Sequence, residues 1–326
     1  TGDENVIIGS KAGDALGTAT TGSTIIGYNA YTAATGSPEG VVVIGKNCVG
    51  ETTSAVNGLV AIGTNCCKLM EGGGRVTAVG NNCLDANTTG DYNTAFGRAA
   101  GGSNTTGSWN TFVGNLAGHG NTTGSHNVYV GHNAGYQTGD GAEGNTIVGM
   151  HAGDALTTGD NNNFFGKYAG ASSSPAGSVT TANNILCLGN DDITDFYCAD
   201  TSISSSDSRD KADITNFTPG LSFIKALRPV TYKWDKRSWY LPDPSGDITS
   251  VTRDGSKKKS KVNLGFVAQE VLDVEKANGF GDSADNMLTV DLSADGKRYG
   301  MKYERLVPVL VNAIKELEAR IATLEA

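Results

Sequence analysis

The chain has 326 residues with 45 Gly, 7 Pro and a net charge of -9, and its two parts differ: the first 200 residues hold 37 Gly, all six Cys, all four His and 22 charged side chains, 16 of them acidic. Collagen is excluded because Gly does not fall at every third position, a disordered Gly-rich chain because apolar residues recur in a pattern, and a membrane helix because no apolar run approaches about 20 residues. An acidic array lacks the Lys and Arg on which nucleic-acid binding rests, and the remaining 126 residues are balanced, with 19 basic and 18 acidic side chains.

The chain begins at Thr1 with neither Met nor a signal-peptide pattern, which is the expectation for a segment of a longer protein. From there an apolar residue followed by Gly recurs at Gly9, Gly27, Gly45, Gly63, Gly80, Gly97, Gly114, Gly131, Gly149 and Gly166, at steps of 17 or 18, with a looser last copy at Gly189. Ile, Val, Phe or Leu precedes every one of these Gly, and a β-former stands three before it in most copies, as at Val6, Thr24, Val42, Val60, Thr111 and Val128. Residues at -1 and -3 share one face of a strand. A unit of 17 residues is too short for a helix pair, so each copy is expected to be one coil of a parallel β-solenoid. Coils about 4.8 Å apart make eleven copies a rod on the order of 50 Å long.

Position +3 is small in most copies: Ala12, Ala30, Ala100, Ala117, Ala134, Ala152 and Ala169. Cys48, Cys66 and Cys83 stand in the same column, so they read as a packed column of thiols, since a free Cys behaves as a small buried hydrophobe. The adjacent Cys66 and Cys67 do not have the spaced pattern of a zinc site; Cys187 and Cys198 are the one pair to check for a bridge. The four His (119, 126, 132, 151) fall in different copies or six apart, and Asp191, Asp192 and Asp195 read as a solvated turn where the array ends. No metal and no cofactor is expected. Asn at -4 (Asn5, Asn93, Asn110, Asn127, Asn145, Asn162) predicts a ladder of side-chain amides. Trp109, Tyr129 and Tyr168 are candidates for stacking on a sugar or for packing between subunits. No carboxylate pair stands out as a glycosidase pair.

These copies resemble the β-roll repeats of trimeric adhesin heads and, more closely, the Asn-Thr-x-x-Gly-x-x-Ala-Gly repeats of phage fibre proteins, over residues 5 to 190. The resemblance implies three chains side by side, each coil burying its apolar column against its own strands or its neighbours.

After Ala199 the composition becomes ordinary. The order of Ser206-Asp207-Ser208-Arg209-Asp210-Lys211-Ala212-Asp213-Ile214, then Ala226-Leu227-Arg228-Pro229-Val230-Thr231-Tyr232, then Asn263-Leu264-Gly265-Phe266-Val267-Ala268-Gln269-Glu270, resembles the intramolecular chaperone auto-processing domain that ends phage tailspikes, endosialidases and tail fibres. That resemblance implies a Ser-Lys dyad, with Ser206 as nucleophile, Lys211 as general base and the cut between Ser205 and Ser206; Asp207, Arg209 and Ile214 are expected to support it. A Lys at its reference pKa of about 10.4 is a poor base at neutral pH, so desolvation or a nearby cation such as Arg209 has to lower it. Ser206 adjoins the carbonyl of Ser205, so attack on its own preceding peptide needs little diffusion. Residues five apart lie on opposite faces of a strand and about 140° apart on a helix; a bend or a neighbouring subunit must therefore bring Ser206 and Lys211 together.

The run Lys257-Lys258-Lys259-Ser260-Lys261 reads as a solvated hairpin loop. Tyr303, Val307, Leu310, Ile314, Leu317, Ile321 and Leu324 alternate steps of 4 and 3, a short coiled-coil seam, with Pro308 near the start, where it is tolerated, and Glu316 able to pair with Arg320. The expected fold is mainly β: a parallel β-roll or solenoid over 1-200, then an α+β chaperone domain over 201-326 ending in a coiled-coil helix over 303-326, assembled as a homotrimer. The expected function is a trimeric viral fibre with a host surface glycan or receptor as partner, located in the virion, whose chaperone self-cleaves once as a serine endopeptidase. The alternatives are a fragment of a polysaccharide-degrading tailspike, a cell-surface adhesin and, disfavoured by the Gly-rich array, a membrane-tethered transcription factor.

Overall fold

The computed structural model describes residues 3-14, 16-17, 19-32, 37-50, 56-193, 206-242 and 246-326. Contacts divide the chain into two units, Thr1–Asp192 with Leu241–Ile248 and Ile193–Tyr240 with Thr249–Ala326.

The first unit is a β-solenoid. Eleven three-residue strands, β1 (Val6–Ile8), β2 (Thr24–Ile26), β3 (Val42–Ile44), β4 (Val60–Ile62), β5 (Thr77–Val79), β6 (Thr94–Phe96), β7 (Thr111–Val113), β8 (Val128–Val130), β9 (Thr146–Val148), β10 (Asn163–Phe165) and β11 (Leu186–Leu188), form one sheet in chain order. Every pair is parallel, and equivalent positions of successive copies are partners, as in Thr111↔Val128, Phe112↔Tyr129 and Val113↔Val130.

The repeated Gly is what lets the coils stack. At Gly114 φ is +133°, and a Cβ there would stand 2.5 Å from the carbonyl oxygen of Gly131 in the next coil. The corner therefore needs glycine twice, for its dihedral angle and for the close approach of two backbones.

The strands turn the face carrying -1 and -3 outward. From β2 to β10 the middle residue is the one taken into the core: Ile25, Val43, Ala61, Ala78, Ala95, Phe112, Tyr129, Ile147 and Phe164 are each 0% exposed. The apolar residues at -1 and -3 are half-buried or exposed within one chain, a burial pattern opposite to that of the core column. Strand alternation is the reason: a three-residue strand gives one residue to the interior when its outer two face away. Core volume is balanced across the coil. Phe112, Tyr129, Ile147 and Phe164 lie against Gly118, Gly135, Gly153 and Gly170, where an added Cβ would meet their side chains; opposite Ala61 and Ala78, the same position holds the buried Cys67 and Leu84.

The Ala and Cys column at +3 is buried, and the thiols of Cys48, Cys66 and Cys83 donate to the carbonyl oxygens of Ala61, Ala78 and Ala95 at 3.2, 3.3 and 3.4 Å. Cys48, Cys66, Cys67, Cys83 and Cys187 are free and buried; Cys198, with Asp195, lies outside the described residues. The neighbouring thiol of Cys66 and then burial push the Cys67 and Cys83 thiols well up, in keeping with their place as buried packing groups.

The Asn column at -4 forms a ladder, but mainly with backbone. Asn93 Oδ1 accepts from Asn110 N, Asn110 Oδ1 from Asn127 N and Asn145 Oδ1 from Asn162 N at 2.9 to 3.0 Å, while the Nδ2 groups of Asn93, Asn110 and Asn145 donate to Gly107, Gly124 and Gly159 carbonyls. Amide-to-amide ladders stand elsewhere, along Asn29, Asn47, Asn65 and Asn82 and along Asn87, Asn104 and Asn121.

The second unit is small and mixed. It contains α1 (Leu221–Ala226), β12 (Val230–Tyr232), β13 (Asn263–Gly265), α2 (Ala268–Ala277), β14 (Val290–Leu292), β15 (Tyr299–Met301) and α3 (Leu306–Glu325). β12 pairs with β13 and β14 with β15, both antiparallel. Phe223, Leu306 and Val309 form one buried cluster, and Val271, Leu272 and Val290 another. Glu275 of α2 is 0% exposed, and its carboxylate accepts from Leu288 N, Thr289 N, Thr289 Oγ1 and Val290 N at 2.6 to 3.2 Å. One side chain thus satisfies the backbone entering β14, which the sequence pattern did not reveal.

α3 packs Leu306, Val309 and Ala313 inward. The seam residues Tyr303, Val307, Leu310, Ile314, Leu317, Ile321 and Leu324 are all exposed. Glu316 Oε1 accepts from Leu221 N at 3.2 Å, so it serves the start of α1 rather than only its own helix. The lysine loop is open but ring-capped: Lys257 lies over Tyr240 and Lys259 over Trp239. Among the described residues no helix is long and apolar enough to cross a membrane.

Two substitutions test these supports. Gly114→Ala should cost about 3 kcal/mol through backbone strain and overlap, read as a lowered unfolding midpoint of the array. Glu275→Ala leaves several buried donors without an acceptor and should cost about 3 kcal/mol, read in urea unfolding of the chain; a midpoint within error of wild type in either case contradicts the assigned role.

Candidate processing site

Ser206 and Lys211 are brought together by a single tight bend. Asp207 is extended (φ -65°, ψ 132°), and its Oδ1 accepts from Arg209 N at 2.9 Å. This caps a 3-10 turn at Ser208–Asp210, which Lys211 N closes by donating to Ser208 O at 3.3 Å. Lys211 then returns to extended backbone, and its Nζ donates to Ser206 Oγ at 2.6 Å. The bend that the five-residue spacing requires is therefore made within one chain. Both residues are exposed.

Asp207 and Arg209 serve each other. Arg209 Nε donates to both Asp207 carboxylate oxygens at 3.0 and 3.1 Å, and Nη2 to Oδ2 at 2.5 Å. The guanidinium holds the Asp207 carboxyl below its ordinary range, and the carboxylate in turn raises Arg209. The charge of Arg209 is thus matched locally by Asp207. Ile214 is 70% exposed. Ser205, on the acyl side of the expected cut, lies outside the described residues.

The array's aromatic candidates behave differently from a sugar platform. Tyr129 is fully buried, which removes it. Trp109 has Tyr92 on one face and His126 on the other, with ring centroids 5.7 and 5.1 Å apart. Tyr168 has His151 on one face, with Lys167 also over its ring. The His side chains likewise go to neighbours: His126 Nδ1 lies 2.9 Å from Glu143 Oε1, and His119 stacks on Tyr136. Among the described residues no group of three or more His, Cys, Asp or Glu is placed to hold a metal ion. The stack around Trp109 was not foreseen as a unit; its signal is a column at -5, one residue before the Asn ladder.

Comparison with curated proteins and with solved structures yields no match. Comparison with family models matches residues 206–280 to the family described as chaperone of endosialidase. The matched segment begins at Ser206 itself and takes in the bend, α1, the β12–β13 pair and α2. The C-terminal part of the chain is thus similar to the chaperones of endosialidases, and a β-solenoid followed by such a domain fits a phage fibre or tailspike type of protein that carries its own C-terminal chaperone.

Proposed function

We propose that the chain is a segment of a homotrimeric phage fibre whose C-terminal unit aligns three copies, lets the array fold and is then released by a cut between Ser205 and Ser206. The observation that carries this reading is the 2.6 Å contact from Lys211 Nζ to Ser206 Oγ at the first residue of the matched segment. In the reaction, Ser206 Oγ attacks the carbonyl carbon of Ser205 and gives its proton to an unprotonated Lys211. The C–N bond breaks, the leaving Ser206 nitrogen takes that proton, and an ester remains on Oγ. Water then hydrolyses the ester, leaving a carboxylate on Ser205 and restoring the Ser206 hydroxyl.

Trimerisation is supported by two apolar surfaces that remain half-buried or exposed among the described residues. One is the outward face of the sheet, where Ile26, Ile44, Ile62, Val79, Phe96 and Val113 continue a stripe from coil to coil. The other is the seam of α3. Exposure of the dyad makes assembly the natural gate: a lysine acts as a base at neutral pH once water is kept from it, and a second copy packed over the bend would supply that exclusion. Release is useful because parallel coils of nearly equal sequence resist a slip of register only weakly. A trimer aligned at one end fixes the register, and removal of the aligning unit leaves a fibre that persists through its unfolding barrier. The array's surface is then free to meet a host glycan or receptor.

On a denaturing gel, wild type should give fragments 1-205 and 206-326, while Ser206→Ala and Lys211→Ala remain intact; one intact band from assembled wild type rejects the reaction. The gate is tested by Ile314→Lys with Leu317→Lys, which leaves the dyad untouched. Cleavage should slow at least about tenfold, the scale of a lost interface anchor, and a monomer that cuts at the wild-type rate refutes gating by assembly.

A further inference from the structure

At -5 each coil places a residue in the left-handed region. Gly22, Gly40, Gly58 and Gly144 fill it in four coils, with φ between +61° and +66°. In the coils between, the position holds Arg75, Tyr92, Trp109 and His126, with φ of 54°, 56°, 57° and 61°. Bulky side chains enter this region only at a cost, and four in succession do so where glycine serves elsewhere. Their side chains form one ladder. Arg75 Cζ lies 5.0 Å from the centroid of Tyr92, Tyr92 and Trp109 are within 8° of parallel, Trp109 and His126 within 2°, and His126 Nδ1 ends on Glu143. Tyr92 and Trp109 are nonetheless 44% and 55% exposed.

The ring faces of Tyr92 and Trp109 are consumed by stacking, so what these two exposed rings present is their edges. A sugar packs on an open ring face, and neither Tyr92 nor Trp109 offers one, since each has a neighbour on both sides; stacked rings of this kind suit another protein surface. The ladder also runs beside the apolar stripe, since Tyr92, Trp109 and His126 each stand two residues before their strands at Thr94, Thr111 and Val128. That stripe is about 50 Å by about 10 Å, on the order of 500 Å² from strand spacing and rise. A specific, stable interface takes about 800 Å² from each partner, so the stripe needs flanking surface to complete it.

We infer that the ladder Arg75–Tyr92–Trp109–His126–Glu143 is the margin of the interface between copies of this chain, its edges packing on a second copy. The inference rests on the trimeric reading and names which surface beside the stripe completes it. In a Trp234→Phe/Trp239→Phe background Trp109 is the sole tryptophan. Its fluorescence in the assembled protein should be several-fold less open to acrylamide than a half-exposed indole, and full access to the quencher overturns the inference. Tyr92→Gly with Trp109→Gly relaxes both turns, so circular dichroism should show the array retained while oligomers dissociate on heating at least about tenfold faster, as after loss of interface anchors. Trp109→Asn, using the residue found here at Asn161 and Asn184, is the second variant. Dissociation at the wild-type rate with the array intact rejects the ladder alone, as does loss of binding to host polysaccharide without any change in dissociation. A wild type that is monomeric by light scattering rejects the trimeric reading and this inference with it.

Discussion

Most of the array follows from one contact, the meeting of two glycine corners in successive coils. The Gly114 corner approaches Gly131 so closely that no side chain fits between them. Parallel strands can then sit in register copy after copy, and the backbone hydrogen bonds run along the solenoid. The phase of each three-residue strand is set by the same corner. Fixing Gly at 0 sends -2 inward and leaves -1 and -3 outside.

That phase gives the solenoid two apolar systems with different purposes. The inner one is a filled core in which Phe112, Tyr129, Ile147 and Phe164 lie against glycine, while the buried Cys67 and Leu84 take that position in the coils of Ala61 and Ala78. Burying each Ile, Phe or Val of this column contributes about 1.5 to 3 kcal/mol. The outer one stays half-buried or exposed among the described residues. The same division appears in the second unit, where Leu306, Val309 and Ala313 of α3 pack inward while the heptad seam faces away. Both units therefore hold themselves together with one set of apolar residues and offer another set outward. The Ser206–Lys211 bend is likewise exposed, its two side chains joined by a hydrogen bond yet open to water.

Much of the fold was legible in the sequence, and the reasons are specific. Steps of 17 and 18 admit one coil per copy, and small residues at +3 predicted a buried column that the Ala and Cys side chains occupy. The seam of the last helix was legible because a period of 3.5 residues has no strand reading. The Asn column was legible as a ladder, though its partners are mainly backbone groups, because a side-chain carbonyl one coil away reaches the unpaired N–H of the next turn. The sugar-stacking reading of Tyr129 failed because a middle strand position is interior, and that of Trp109 failed because its neighbours at 17-residue spacing cover both faces. Glu275 was invisible because three of its four donors, at Leu288, Thr289 and Val290, are backbone N–H groups, which carry no sequence signal.

By itself the sequence determined the repeat, its parallel β character, the thiol column and the Ser-to-Ile run, because each depends on residue type at fixed spacing. Only the tertiary structure decided which side of each strand is inside, that one 3-10 turn suffices to join Ser206 to Lys211, and that Arg75, Tyr92, Trp109 and His126 make a single ladder. The physical reason is the same in all three cases. Spacing along the chain sets which residues are equivalent, whereas inside, outside and contact depend on how far each turn rotates the backbone before the next coil is laid down.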